Sequence, residues 1–194
     1  MGREVIAEMN RVGMVIDMSH SAERTTLEAI EISTRPIAIT HANPKFWRDV
    51  ARNKSDAVLK ALAAKGGMLG LSLYPHHLAQ GSDCPLESFT GMVRRLADLI
   101  GIDHIGIGSD LCQDQPDSVV EWMRVGRWTK GGVDIGLGKA VFPPQPAWFR
   151  DNRDFPKLRA GMHAAGISAM DTDKSLGGNW YRFFEQSFDP PQAS

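Results

Sequence analysis

The chain has 194 residues, of which 42% are hydrophobic and 23% charged, enough for one domain with a sizeable core. Its 22 basic and 23 acidic residues give a formal net charge of −1, which argues against a nucleic-acid or membrane partner. No apolar run approaches the ~20 residues of a membrane span, and the two cysteines, Cys84 and Cys112, form no CxxC motif. We therefore expect a cytoplasmic protein without a disulfide framework.

The predicted elements alternate between short strands and helices. Residues 2–11 form an amphipathic pattern that predicts a helix, not a signal peptide, and Gly13 ends it. Short apolar, β-branched runs bounded by polar residues predict four buried parallel strands, over 14–18, 37–40, 68–74 and 104–110. Helices are predicted between them, one capped by Ser21, one capped by Ser55-Asp56, and one over 85–100.

The last part of the chain follows a different pattern. The periodicity fails from 111 to about 154, a stretch that contains several prolines, Trp122, Trp128, Trp148 and Gly131-Gly132. A long loop of this kind is usually functional or packs over something. Two closing helices are predicted over 156–165 and 173–188. We expect one domain over 1–188 and a fraying tail over 189–194.

Four strand–helix units amount to half of an eight-stranded (β/α)8 barrel, the TIM-barrel class of α/β folds. A complete barrel needs ~250 residues. A half-barrel leaves two parallel edges unpaired and exposes the sheet face that would line the barrel interior. We therefore expect that the chain either associates with something, such as a copy of itself, or is a piece of a larger barrel.

The first two predicted strands each end on a histidine, His20 and His41. Parallel strands joined by a helix have their carboxyl ends on the same side of the sheet, so both histidines should face one site. That rim is where α/β folds place their chemistry, and imidazole is a common ligand of zinc. The alternative is that each histidine is a satisfied polar residue at a strand terminus, and the residues alone leave both interpretations open.

Three further residues could act at the same rim. Asp110 ends the fourth strand, and its carboxylate could be a general base, a metal ligand or an orienter of water, or could cap the following loop. Arg52 could bind a carboxylate through two parallel hydrogen bonds, or be a solvated loop residue. Tyr74 ends the third strand, and its hydroxyl could face the site, or it could be a core aromatic residue with an exposed tip.

Two other features have weaker interpretations. The adjacent His76 and His77 should point in opposite directions on an extended segment, so they are not expected to share a metal ion. Asp17 lies inside a strand that should be buried, and the sequence assigns it no role.

A series of motifs carries a family resemblance across nearly the whole chain. In order they are GMVIDMSH at 13–20, PIAITH at 36–41, Arg52-Asn53, GGMLGL at 66–71, GIDHIGIGSD at 101–110 and GGNW at 177–180. Together they resemble the membrane dipeptidase (renal dipeptidase) family of metallopeptidases, peptidase family M19. The resemblance implies a (β/α)8 barrel with a binuclear zinc site that hydrolyses dipeptides.

The resemblance also implies roles for the residues at the predicted rim. His20 and His41 match the two histidines that bind the second zinc ion. Asp110 matches an aspartate at the last strand, near the catalytic water and the substrate amine. Arg52 matches the arginine that holds the terminal carboxylate of the substrate, and Tyr74 is a looser match to an aromatic residue near that carboxylate.

The chain departs from the family pattern in one large respect. The amino-terminal half of the family supplies a His-x-Asp pair for the first zinc, a bridging glutamate, and a histidine for the tetrahedral intermediate. No His-x-Asp occurs in these 194 residues, which implies that the chain begins just before the fifth barrel strand. Two histidines are too few for a tight catalytic zinc site, which usually has three protein ligands.

The sequence therefore predicts a zinc metallodipeptidase site that is incomplete in this chain, with a dipeptide as substrate. A homo-oligomer or a complementing amino-terminal half would supply the rest. The alternatives are a non-catalytic half-barrel that acts only in assembly or binding, or another amidohydrolase-type reaction on the same barrel.

Overall fold

The computed structural model of the protein describes residues 1–125 and 141–188. That part of the chain contains eight α-helices and three β-strands. In chain order they are α1 (Gly2–Arg11), α2 (Glu23–Ile32), β1 (Ala38–Ala42), α3 (Asp56–Ala64), β2 (Met68–Leu71), α4 (Leu86–Ile100), β3 (Ile105–Ile107), α5 (Asp117–Val125), α6 (Phe155–Ala164), α7 (Ala169–Asp173) and α8 (Asn179–Phe188). None of these helices is long and apolar enough to cross a membrane.

The three strands form one parallel sheet in the order β1-β2-β3, with Ala38 opposite Met68 and Leu69 opposite Ile105. Helices α3 and α4 make the crossovers between consecutive strands, as parallel pairing requires. Their apolar faces are fully buried against the sheet, through Leu59, Leu62, Phe89, Val93 and Leu96. The prediction of an α/β fold with a parallel sheet is therefore confirmed.

The first predicted strand, over 14–18, is the main correction to the predicted sheet. It is reduced to a single parallel bridge between Asp17 and Ala38, so the described sheet has three strands, not four. The backbone of Ala38 still exchanges hydrogen bonds with Met18 and Ile16, each 2.9 Å long. Beyond them the side chain of Asp17 accepts the backbone N–H of Thr40, which replaces the next bond of a regular ladder.

Helix boundaries agree with the sequence wherever a cap residue or a glycine sets them. The predicted helix over 2–11 is confirmed, and the hydroxyl of Ser55 caps α3 by accepting the N–H of Val58 at 3.3 Å. The predicted helix cap at Ser21 is wrong. Helix α2 begins at Glu23, after Ala22, and the hydroxyl of Ser21 donates instead to the sulfur of Met18. The strands predicted over 68–74 and 104–110 are shorter, at Met68–Leu71 and Ile105–Ile107, and a 3₁₀ turn (Ile102–His104) takes up the start of the second one.

The described parts of the segment from 111 to 154, residues 111–125 and 141–154, contain more regular structure than the sequence pattern indicates. It includes α5, which the pattern does not predict, and Trp148 is buried with its indole N–H donating to the Cys84 carbonyl at 2.6 Å. Of the other residues singled out there, Trp122 is exposed, whereas Trp128 and Gly131-Gly132 lie outside the described residues. The predicted tail over 189–194 also lies outside them.

Helix α8 and the helical turn before it cover the second face of the sheet. The helix predicted over 173–188 is divided into the end of α7, a π-helical turn (Lys174–Gly178) and α8. The indole of Trp180 lies directly over Gly70 and Gly106, where a β-carbon would overlap its ring, and its N–H donates to the Ile107 carbonyl at 3.0 Å. Asn179 donates to the carbonyls before and at the start of β3, both at 2.8 Å. Gly106 is therefore needed for close approach of the helix, whereas a β-carbon at Gly70 would overlap the backbone carbonyl of Thr40 as well as the indole.

Candidate functional site

The two strand-end histidines meet. The Nε2 atoms of His20 and His41 are 3.0 Å apart, and their rings stand edge to face with centroids separated by 5.1 Å. His41 lies within β1, one residue after Thr40, and His20 follows the bridge that pairs Asp17 with Ala38. The sequence prediction that the two histidines reach one place at the carboxyl ends of neighbouring parallel segments therefore agrees with the geometry.

Asp17, which had no predicted role, joins the two histidine-bearing segments. Its carboxylate accepts the N–H and hydroxyl of Ser19 at 3.0 and 2.5 Å, and the N–H and hydroxyl of Thr40 at 3.0 and 2.7 Å. Burial raises the pKa of the Asp17 carboxyl, but these hydrogen bonds outweigh burial and hold that pKa below its ordinary value. Asp17 is therefore an ionised acceptor beneath the site.

The network continues from Asp17 to the ring of His41. The hydroxyl oxygen of Thr40 lies 2.8 Å from Nδ1 of His41, and the hydroxyl of Ser19 accepts the backbone N–H of His41 at 3.1 Å. Sequence reasoning missed these contacts because they depend on the direction of the Asp17 side chain, which an apolar strand pattern does not specify. The signal available was the polar Asp-x-Ser and Thr next to each histidine in otherwise apolar runs.

Two cationic side chains hold the turn that carries His20. Lys54 is buried, and its ammonium donates to the carbonyls of Met18 at 3.0 Å and Ser21 at 2.8 Å. Burial, with the nearby charge of Arg52, lowers the pKa of Lys54 to about 8. The guanidinium of Arg52 donates through Nη1 to the carbonyl of Ser19. The backbone around His20 is therefore fixed from the side of the 43–54 loop.

A pair of buried asparagines shapes that loop. The side chain of Asn53 accepts the N–H of Asn43 at 3.0 Å and donates to the carbonyl of Arg48 at 2.8 Å. Both asparagines also donate to the carbonyl of His77, at 3.2 and 3.1 Å. Because Arg52 directly precedes Asn53, this pairing fixes the backbone from which the Arg52 side chain extends. The sequence motif Arg52-Asn53 thus combines a site residue with the residue that positions it.

The second guanidinium nitrogen of Arg52 reaches the histidine pair. Its Nη2 lies 3.2 Å from Nε2 of His20. Partial burial, then the positive charge of Arg52, then His41 lower the pKa of His20 below its ordinary value. His20 is therefore biased towards the neutral form, which is the form that binds a metal ion.

Asp110 lies beside the pair but does not touch it closely. Its carboxylate is 4.0 Å from Nε2 of His41 and is one-third exposed. Its backbone has a φ of +56°, in the left-handed region that aspartate tolerates better than most residues. A β-carbon at Gly108 would overlap the carbonyl oxygen of Thr40, so that glycine allows the segment before Asp110 to approach β1.

Tyr74 makes its ring contacts with a different pair of histidines. The ring centroids of His76 and His77 lie 5.3 and 5.5 Å from that of Tyr74. The two histidines do face different environments, but on a 3₁₀ turn and not on the extended segment that the sequence predicted. His77 is buried with Nδ1 at 2.8 Å from the Ser72 hydroxyl, and burial, followed by the charge of Arg52, lowers its pKa to about 4.

The donors present fit part of a metal site. Two nitrogens that share one tetrahedral zinc ion, each about 2.0–2.1 Å from it, lie about 3.3 Å apart. The observed 3.0 Å between the Nε2 atoms is close to that value. Arg52 can only donate, so its contact at 3.2 Å requires a lone pair on Nε2 of His20, as metal binding also does. Among the described residues, no group of three or more His, Cys, Asp or Glu side chains could hold a metal ion.

Comparison with known proteins assigns the chain to a family. The sequence profile described as membrane dipeptidase (peptidase family M19) matches residues 1–128 of the chain. This match covers well over half of the chain and includes all five predicted site residues. The chain therefore belongs to peptidase family M19.

Individual relatives agree with the family assignment. The dipeptidase tcpJ of Claviceps purpurea is 26% identical over 189 residues, which are 97% of this chain and 38% of tcpJ. A solved amidohydrolase from Pseudomonas aeruginosa is 31% identical with a TM-score of 0.84, covering 96% of this chain and 56% of that one. A metallopeptidase from Rhodobacter sphaeroides, solved with a phosphinate mimic of the dipeptide L-Ala-D-Ala, is 25% identical with a TM-score of 0.75, covering 96% and 46%.

These comparisons share one further property. Nearly the whole of this chain matches these relatives, yet it spans only between about two-fifths and somewhat more than half of their lengths. The fold of this chain therefore corresponds to a part of each relative.

Proposed function

We propose that this chain carries the second-metal half of a zinc dipeptidase site, on strand–helix units that correspond to half of a (β/α)8 barrel. The observation that carries the proposal is the 3.0 Å separation of the Nε2 atoms of His20 and His41. Membership of peptidase family M19 and the likeness to a metallopeptidase bound to a dipeptide mimic support it. The substrate in this proposal is a dipeptide.

His20 and His41 would hold the zinc ion through their Nε2 atoms. Zinc, when bound, would lower the pKa of a water molecule and polarise the carbonyl of the peptide bond. The neutral form of His20 is favoured by its partial burial and by Arg52, so this ligand does not need to lose a proton at neutral pH.

Asp110, Arg52 and Tyr74 would bind and orient the dipeptide. The carboxylate of Asp110 is near enough to the histidine pair, at 4.0 Å from His41, to accept a proton there and to hold an ammonium group. Arg52 would bind the carboxylate of the dipeptide through Nη2, which now contacts His20, while Nη1 stays on the carbonyl of Ser19. Tyr74 would line the same end of the substrate.

The remaining metal ligands would come from outside this chain. In this proposal a complementing amino-terminal half, or a copy of the chain, completes the barrel and the site. The proposed location is the cytoplasm, with which the free thiols of Cys84 and Cys112 are compatible.

A second candidate function is a non-catalytic assembly or binding protein. One observation favours it, because the described residues offer no group of three or more His, Cys, Asp or Glu side chains for a metal ion. Exposed apolar side chains on and after α1, including Val5, Val12 and Met14, would then be buried in an oligomer.

The test is hydrolysis of a panel of L,L and L,D dipeptides, with and without added zinc. We expect little or no turnover by the chain alone, and zinc-dependent turnover when the amino-terminal part of the related Pseudomonas amidohydrolase is added. That turnover should disappear in His20→Ala and persist in His163→Ala, a matched change at an exposed histidine on α6 that is not part of the pair.

Two outcomes would contradict the proposal. Turnover that survives in His20→Ala would mean that the histidine pair is not the metal site. A stable complex of the two folded parts without zinc-dependent turnover, together with an oligomer of the chain alone by light scattering, would favour the assembly function.

A further inference from the structure

The network beneath the histidine pair has a feature that the dipeptidase proposal does not use. Two hydroxyl groups, those of Ser19 and Thr40, surround the carboxylate of Asp17, and each has only one proton to donate. Ser19 lies 2.5 Å from Oδ1 of Asp17 and Thr40 lies 2.7 Å from Oδ2. Both distances are shorter than the 3.1 Å between the two hydroxyl oxygens, and they are those expected for hydrogen bonds to an ionised acceptor, so both hydroxyl protons point at the carboxylate.

This arrangement leaves the Thr40 oxygen as an acceptor towards His41. Nδ1 of His41 is 2.8 Å from that oxygen, and the proton of the Thr40 hydroxyl is already committed to Asp17. Nδ1 must then carry the proton of a neutral His41 ring. Its Nε2 is left with a lone pair, directed at His20, 3.0 Å away.

We propose that Asp17 and Thr40 are positioning residues that hold His41 in its Nδ1–H tautomer and so keep the Nε2 lone pair aimed at His20. The inference rests on the proposed function only for what this lone pair would bind. Nε2 of His20 also presents a lone pair, because it faces the donor Arg52 at 3.2 Å. Each of these nitrogens has a single lone pair, so a cation bound to both Nε2 atoms would take the place of the Arg52 contact on His20.

The experiment is a long-range ¹H–¹⁵N NMR spectrum of the histidine rings in the full chain, which distinguishes the two neutral tautomers directly. The six histidines are assigned by comparison with single His→Gln variants. We expect the Nδ1–H tautomer for His41 in the unchanged protein. A wild-type His41 with its proton on Nε2 would overturn the proposal.

Variants of the network sharpen the measurement. Asp17→Asn replaces a carboxylate oxygen with an N–H donor, which occupies the Thr40 oxygen and turns the hydroxyl proton towards His41. The His41 proton should then move to Nε2. Thr40→Ser keeps the hydroxyl and should keep the Nδ1–H tautomer. An unchanged tautomer in a folded Asp17→Asn protein would contradict the inference.

Thr40→Val covers the case in which Asp17→Asn fails to fold, because valine has nearly the shape of threonine but no hydroxyl. The wild-type preference for Nδ1–H should disappear in that variant. Near-ultraviolet circular dichroism and urea unfolding check that each variant is folded. A folded Thr40→Val protein whose His41 is still fully in the Nδ1–H form would contradict the inference.

Zinc affinity gives an independent reading by competition with a chromogenic chelator. Loss of a group that orients a metal-binding histidine typically weakens metal binding by about 10–100-fold, which we expect for Thr40→Val, with Thr40→Ser within about twofold of wild type. Equal affinities in wild type and Thr40→Val would contradict the positioning role. A wild-type chain with the Nδ1–H tautomer but no dipeptide hydrolysis on complementation would instead reject the proposed function and leave this inference standing.

Discussion

The chain contains two close pairs of histidines, and their surroundings differ in what the ring nitrogens meet. His20 and His41 are 21 residues apart in sequence, yet their Nε2 atoms face each other at 3.0 Å. His76 and His77 are adjacent in sequence, but one is exposed, and the other is buried with its Nδ1 bonded to Ser72. Parallel pairing of distant segments thus brings imidazole nitrogens together, whereas adjacency along a 3₁₀ turn separates them.

The two environments also affect the pKa of the histidine rings differently. Burial, with the charge of Arg52, lowers the pKa of His77 to about 4, so this ring stays neutral as a structural hydrogen-bonding group. His20 is more accessible and its pKa is lowered less, although burial and Arg52 act in the same direction. A low histidine pKa therefore does not by itself mark a metal site in this protein. The position of the nitrogen lone pairs is what distinguishes the candidate metal-binding pair from the structural one.

The largest effect is expected when one member of the His20–His41 pair is removed. His20→Ala or His41→Ala should each weaken zinc binding by more than about 100-fold, the upper end of the effect of losing only an orienting partner. The measurement is competition for zinc against a chromogenic chelator. His76→Ala is the matched control and should bind zinc as the wild type does. Wild-type affinity in either site variant would show that the two pairs do not differ as the geometry indicates.

An intermediate effect concerns the buried pair and acid. Because the folded state lowers the pKa of His77 from 6.5 to about 4, the unfolded chain takes up a proton first as the pH falls. Stability from this residue is present above pH 6.5 and is lost as the pH falls towards 4, by about 2 kcal/mol at pH 5. Urea unfolding at pH 7 and pH 5 measures the loss.

The matched variant for that measurement is His77→Asn, which can keep a hydrogen bond to Ser72 but does not titrate. Its free energy of unfolding should fall less between pH 7 and pH 5 than that of the wild type. His76→Asn, at the exposed neighbour, should fall as the wild type does. If His77→Asn and wild type lose the same stability, the acid sensitivity belongs to other groups.

The smallest expected effect concerns Arg52 and the site pair. Arg52→Gln should raise the pKa of His20 only part of the way towards its ordinary value, because burial, the larger cause, remains. Titration of the ring resonances by NMR measures the shift. Lys45→Gln, which removes a partly exposed cation from the same loop, should leave the pKa of His20 where it is. A fall in the pKa of His20 in Arg52→Gln would contradict the electrostatic interpretation.

The sequence predicts those parts of the fold that depend on local chemistry. The bounds of α1, the cap of α3 at Ser55 and the end of α4 at Gly101, with its φ of +83°, all follow from residues within one helical turn. The first predicted strand fails because the side chain of Asp17 accepts hydrogen bonds from Ser19 and Thr40. An apolar, β-branched pattern contains no information about such a side chain.

The contacts of the candidate site likewise fall into some that the sequence could predict and others that it could not. The meeting of His20 and His41 could be predicted because parallel strands align their carboxyl ends whatever lies between them. The contact of Arg52 with His20 could not, because it depends on a buried asparagine pair and on a loop without periodicity. For the same reason the sequence placed Tyr74 at the rim without showing that its ring packs on His76 and His77.

The packing of Trp180 on the sheet has an evolutionary consequence. Its indole occupies the space that a β-carbon at Gly106 would fill, so neither of these two positions can change freely. A side chain at 106 requires a smaller residue at 180, and a smaller residue at 180 leaves a cavity unless Gly106 gains a side chain. Among homologous sequences, positions 106 and 180 should therefore covary, whereas Gly70 should not change with them, because a β-carbon there would overlap the backbone carbonyl of Thr40.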